Sequence, residues 1–144
     1  MDIDLLKSIF KAYCRNGDVK LDADRTPWIF WRGEWEPICG HWFWDNQEGA
    51  SLFCQKLGYE DGTVERKNDV YSRDSFMIGK CNAGDVWGNC LGGCNEYQKG
   101  NVCSGRGERC TSSEPVKISI SCNGWNGKIR TSCGGNSMKI VGTN

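Results

Sequence analysis

The chain has 144 residues, ten cysteines, 19 glycines and only 38% apolar residues, and its 18 basic and 18 acidic side chains cancel. That length holds one domain, or one domain with extensions, around a core short of aliphatic side chains. A balanced charge excludes global attraction to nucleic acid or anionic lipid, and no apolar run approaches membrane-spanning length.

The cysteines are even in number, so all can pair. Zinc is the competing reading, but structural zinc sites favour Cys-x2-Cys knuckles. Here the closest pair is Cys90-x3-Cys94, and His41 is the single histidine. Disulfides are therefore expected, which places the chain in an oxidising setting: secreted, lumenal or an ectodomain. The first residues, MDIDLLKSIFKAYC, lack the basic start and apolar block of a signal peptide, so the mature form is expected. There is no Asn-x-Ser/Thr sequon.

In chain order, Ile3, Leu6, Ile9, Phe10 and Tyr13 fall at helical spacing, with Asp2 or Asp4 as cap and a turn at Arg15-Asn16-Gly17-Asp18. Thr26 to Cys39 predicts two short strands around Arg32-Gly33. A helix is expected to open at Asp45-Asn46-Gln47-Glu48, to bury Ala50, Leu52, Phe53 and Leu57, and to stop at Gly58. Val70-Tyr71 and Phe76-Met77-Ile78 are strand candidates in a weakly alternating stretch. Residues 81–110 are glycine-rich and loop-like with five cysteines. Val116 to Cys122 alternates at period two and predicts the clearest strand. Two Asn-Gly pairs beyond it predict a small hairpin before a last strand at Met138–Val141.

The order Gly33-x-Trp35-x-x-Ile38-Cys39, Trp44-Asp45 and Ala50-x-x-x-Cys54-x-x-Leu57-Gly58 resembles the opening of a scavenger receptor cysteine-rich domain. Cys81 with Cys90 is similar to that family's short bridged loop. Cys110, Glu114 and Ile118-Ser119-Ile120-Ser121-Cys122 are similar to its closing segment. The resemblance covers about residues 26–122. It implies an α+β fold, a curved antiparallel sheet cradling one central helix, with an N-terminal helical extension over 1–25 and a packed tail over 123–144. It also implies the bridges Cys39–Cys110, Cys54–Cys122 and Cys81–Cys90. The remaining cysteines are paired by elimination as Cys94–Cys103 and Cys14–Cys133.

The resemblance further implies a divalent-cation site, but the family's aspartate pair is replaced by Gly40-His41. Asp45 and Glu114 are left as candidate Ca2+ ligands against the plainer reading of solvated carboxylates. No other cofactor is expected. Trp35 and Trp44 are expected in the core, while Trp28, Trp31 and Trp42 are candidates for an exposed aromatic contact. Arg66, Lys67, Arg73, Arg106 and Arg109 are candidate contacts for a polyanion, weighed against a mixed-sign solvated surface. Glu34 and Glu36 are expected on one strand face, in water.

No nucleophile elbow, zincin motif or second histidine accompanies His41, so no enzyme is expected. The leading expectation is a secreted or ectodomain recognition module that binds a protein, glycan or microbial polyanion through disulfide-held loops. The alternatives are a structural subunit of an extracellular matrix or filament, with self-association, and a secreted effector or toxin-like protein.

Overall fold

The structure is a computed structural model that describes residues 14–91, 108–109 and 115–136. The helix expected at 3–13, most of the 82–110 insertion and the strand expected at 138–141 lie outside these residues.

The chain enters through a turn in which Asp18 N donates to Arg15 O and Gly17 takes a left-handed φ of 94°. Strand β1 (Val19–Leu21) pairs antiparallel with β2 (Pro27–Trp31). Their connection is shaped by Asp22, whose Oδ1 accepts the N–H groups of Asp24 and Thr26, each at 2.9 Å. Arg32 and Gly33 then both turn left-handed, at φ 49° and 86°, and reverse the chain into β3 (Glu34–Pro37). This is the two-residue hairpin geometry that matches strand twist.

One face of these strands carries Val19, Leu21, Ile29 and Trp31 into the core. Glu36 sits opposite Ile29 in the register, and it is buried at 3% exposure, not in water beside exposed Glu34. Hairpin register, not side-chain polarity, turns it inward.

After a 3-10 turn at Phe43–Asp45, helix α1 runs over Glu48–Lys56. Asn46 Oδ1 accepts the Glu48 N–H at 3.0 Å, and Asn46 Nδ2 donates to Cys81 O at 2.9 Å. The helix therefore starts where a side-chain oxygen can hold an orphan N–H. It ends at Leu57 with Gly58 at φ 96°, the residue type that position favours.

The next strand, β4, is far longer than the sequence suggests: Leu57–Val70. It is followed by β5 (Phe76–Met77), one helical turn α2 (Trp87–Cys90), and β6 (Glu108–Arg109), which pairs with β5. Strand β7 (Val116–Ile129) pairs antiparallel with β4 along the whole length of both. The two Asn-Gly pairs do not close a hairpin. Gly124 and Gly127 take left-handed φ inside β7, and the register slips between Leu57 and Tyr59. The last described strand, β8 (Gly135–Asn136), lies parallel to β1.

The sheet order is thus β3-β2-β1-β8, antiparallel as expected except for the parallel pair β1–β8. Residues on both sides of the 26–122 span contribute strands to it.

The core lies where α1 packs on the β4–β7 ribbon and on the inner face of the four-stranded sheet. Ala50, Phe53 and Cys54 of α1 meet Val64 of β4 and Ile118 and Ile120 of β7. Period two sets this face, because Val64 stands opposite Ile120 and Gly62 opposite Cys122. Cys54 is bonded to Cys122, Cys81 to Cys90 and Cys14 to Cys133. Cys39 is also disulfide-bonded, and its expected partner Cys110 lies outside the described residues, as do Cys94 and Cys103.

Gly62 sits under the Cys54 sulfur, and a Cβ there would also meet the carbonyl oxygens of Ala50 and Ser121 at 3.0 Å. Neither backbone can withdraw without moving α1 off the ribbon. Gly62→Ala is expected to destabilise the fold by about 1–3 kcal/mol, the usual range for overpacking, measured as a lowered guanidinium midpoint under non-reducing conditions. A midpoint equal to wild type would show that the helix does not seat as closely as described.

Candidate functional site

Two aromatic and cationic clusters stand out on the described surface. The first grows from the stretch Gly40-His41-Trp42-Phe43-Trp44. Gly40 lacks the Cβ that would strike the Trp44 ring and Ile118, so the turn folds down and Trp44 packs against the core edge. Phe43 points inward and is buried. Trp42 is thrown outward, 53% exposed, at a φ of 61° that a bulky side chain rarely adopts.

The His41 ring lies between the two indoles, 5.7 Å from Trp42 and 5.8 Å from Trp44. Its Nε2 is sheltered and has no hydrogen-bond partner among the described residues. Arg66 shares its strand face with Val64 and Gly62, so it emerges just beyond the core. Its guanidinium stacks over Trp44 at 4.0 Å from the ring centre. The result is a continuous surface of guanidinium, indole, imidazole and indole.

The second cluster lies on the outer face of the four-stranded sheet. Lys20 is opposite Trp28 and Phe30 is opposite Trp35, so these four project from the same side. The Lys20 ammonium sits 4.4 Å from the Trp35 ring centre and 5.4 Å from that of Trp28. Trp28 Nε1 donates to Asp22 Oδ2 at 2.9 Å, and Arg73 stands over its ring at 5.7 Å. Burial between the indoles lowers the Lys20 pKa from the ordinary 10.5, with Asp22 pulling in the opposite direction.

The candidates named from sequence are therefore dispersed. Trp31 is not a surface contact: it is 7% exposed and packs on Phe76 at 5.2 Å, because its strand position faces the core. Trp28 is half-buried and Trp42 is exposed. Of the pair expected in the core, Trp44 packs against it and Trp35 is half-buried on the opposite sheet face.

Arg66, Lys67 and Arg73 do not form one patch. Arg66 serves the first cluster, Arg73 the second, and Lys67 pairs with Glu65 at 3.1 Å. Asp45 is exposed at the end of the 3-10 turn, while Glu114 and Arg106 lie outside the described residues and Arg109 is described only through its pairing with Phe76.

Sequence reading missed Lys20 altogether, because its place beside Trp28 is set by the pairing of β1 with β2. Cys14, Asp18 and Cys133 also offer ligand atoms within 4.8 Å of one another. Both sulfurs are committed to a disulfide, and the buried Asp18 carboxylate accepts N–H groups from Arg15 at 2.8 Å and Ser132 at 3.0 Å. That group is a structural clamp.

No protein-family model matches the chain, and no curated protein matches it. Among solved structures, the dimeric form of the SRCR domain of mouse MARCO is similar over 68% of this chain and 84% of that one, at 18% identity and a TM-score of 0.45. At that level no residue role is transferred from it. What stands on the chain's own geometry is a small disulfide-rich α+β protein with, among the described residues, largely antiparallel strands and few helices. Among the described residues no helix is long and apolar enough to cross a membrane.

Lys20 and Tyr71 make pH predictions of opposite sign. Lys20 has a folded pKa below 10.5, so the unfolded chain holds more protons in that window and stability rises as pH climbs through it. Tyr71 donates to Ile38 O at 2.8 Å, and burial raises its pKa above 10.0, so it favours the fold below that value and loses the advantage above it. Subtracting the unfolding free energy of Lys20→Met from that of wild type cancels the tyrosine contribution. The difference is expected to rise with pH up to 10.5. A flat difference would mean that the ammonium is fully hydrated.

Proposed function

We propose that the protein is an extracellular recognition module, not an enzyme, and that it holds polyanionic glycans on the Arg66–Trp44–His41–Trp42 surface. The observation that carries this reading is the stacked Arg66. A guanidinium lying on an indole keeps its in-plane N–H edge free for a sulfate, phosphate or carboxylate. Arg66 makes no ion pair among the described residues, whereas its neighbour Lys67 is already engaged by Glu65. Trp42 supports the same reading, since an exposed indole held at left-handed φ is a strained and unproductive use of apolar area unless something covers it.

A glycan suits the surface better than a flat protein patch, because sugar rings stack on indoles while their acidic substituents meet the cation. The sole histidine stands between two indole rings, where it extends the ring surface open to a sugar. An oxidising location is supported by the paired cysteines.

Binding to an immobilised sulfated polysaccharide is expected to weaken as salt is raised, because the contact is solvent-exposed and screened within about 10 Å at 0.1 M. Arg66→Ala and Trp42→Ala are each expected to weaken it roughly tenfold, the loss of about 1.4 kcal/mol. Circular dichroism should be unchanged, since both side chains are exposed. Binding that neither substitution alters would refute this surface. Concentration-dependent assembly abolished by Trp42→Ala would instead favour a filament subunit.

A further inference from the structure

The second Asn-Gly pair in β7, Asn126-Gly127, builds something other than a hairpin. Between the paired positions Leu57↔Ile129 and Tyr59↔Trp125, β4 supplies one residue, Gly58, and β7 supplies three, Asn126 to Lys128. The surplus bulges from the ribbon, with left-handed φ at Gly127 and with Asn126 Oδ1 accepting the Lys128 N–H at 2.8 Å. Bulges of this kind re-aim side chains and are common beside functional sites.

Here the bulge stands against the C-terminal end of α1. Arg130 N donates to Lys56 O at 2.9 Å, and Lys56 Nζ donates to Arg130 O at 3.0 Å, so the end of β7 is tied to the helix. Beside this junction lies an open-sided cavity of about 220 Å³ lined by Gln55, Tyr59, Glu60, Asn126, Lys128 and Arg130.

We propose that this cavity is a subsite for one acidic monosaccharide residue, a uronate or a sialic acid. Its volume suits a single sugar ring and not a drug-sized ligand, for which several hundred Å³ are usual. The chemistry of the lining is specific. Lys128 and Arg130 are exposed cations that make no ion pair among the described residues, and they bring two donors to a carboxylate.

Glu60, also exposed, is an acceptor for sugar hydroxyls, and the Asn126 amide nitrogen remains as a donor while its oxygen holds the turn. Gln55 is fixed by donating to Glu60 O at 3.1 Å, which orients its oxygen. Tyr59 closes the floor, with Trp125 edge-on to it at 5.1 Å. Aromatic floor, hydroxyl acceptor and paired cations together match a carboxylated ring.

None of these residues belongs to the Arg66–Trp42 surface, so the two proposals fail separately. The test is a titration followed by amide chemical shifts, with glucuronic acid and N-acetylneuraminic acid as probes and their methyl esters as controls. The acids are expected to perturb the Tyr59, Asn126 and Lys128 amides and to bind at least about tenfold more tightly than the esters. Lys128→Gln and Arg130→Gln should each weaken the acids by about that factor, while Arg66→Ala leaves them unchanged. Shift dispersion of the variants confirms their fold. Equal binding of acid and ester, perturbation confined to other residues, no binding by either acid, or tighter binding of a free amino acid would each overturn the assignment.

Discussion

The Cys54–Cys122 bridge, seated directly over Gly62, is the constraint on which the molecule depends. Among the described residues it fixes the longest helix, α1, to the longest strand pair, β4–β7, at Gly62, where a Cβ would meet backbone oxygens of both α1 and β7. A chain with 38% apolar residues has little aliphatic material to press a helix onto a ribbon by burial alone. A covalent link between residues 68 apart removes unfolded-state freedom worth about 4 kcal/mol in the chain-entropy account. That is a large share of the stability of an ordinary domain. The neighbouring packing then needs only to be specific: Ala50 and Phe53 below, Val64 and Ile120 above.

The second constraint closes the ends. Cys14 and Cys133 are 119 residues apart in sequence, and Asp18 reinforces their link by accepting an N–H from each side of it. Thr131 Oγ1 accepts the Val19 N–H at 3.1 Å, and buried Trp87 donates its Nε1 proton to Gly17 O at 2.9 Å. The disulfide and the Ser132 and Thr131 contacts hold β8 in register beside β1, so the sheet is completed from both sides of the 26–122 span. A carboxylate as buried as Asp18 is tolerated because its oxygens are occupied by backbone donors.

Local chemistry was legible in the sequence and sidedness was not. The hairpin at Arg32-Gly33 and the helix stop at Gly58 could be read because each is decided by residues within one turn. Bridges joining Cys54 with Cys122 and Cys81 with Cys90 followed from the resemblance, and Cys14 with Cys133 from pairing what was left. The length of β4 was hidden by Glu60, Asp61 and the polar run Glu65 to Asp69, which leave the alternation over this stretch weak. Their exposure is compatible with a strand because β7 satisfies the backbone. Trp28 and Trp31 were both expected as exposed contacts, yet alternation puts them on opposite faces, and which one turns inward depends on where α1 docks. Lys20 joined the aromatic face through pairings between three strands, a non-local fact with no signal in any short window.

The tryptophans show how these constraints leave material over for recognition. Trp87 and Trp31 fill core space, and Trp35 and Trp28 flank Lys20 on the sheet's outer face. Trp44 covers the core edge and is itself covered by Arg66. Trp42 has no such employment among the described residues, and its left-handed backbone costs on the order of 1–3 kcal/mol. A fold stapled by sulfur can hold that strain, because opening the turn would not release the helix it leads into. Rigidity from crosslinks therefore does more than stabilise: it lets an indole stand exposed in a fixed pose, which lowers the ordering cost when a ligand covers it.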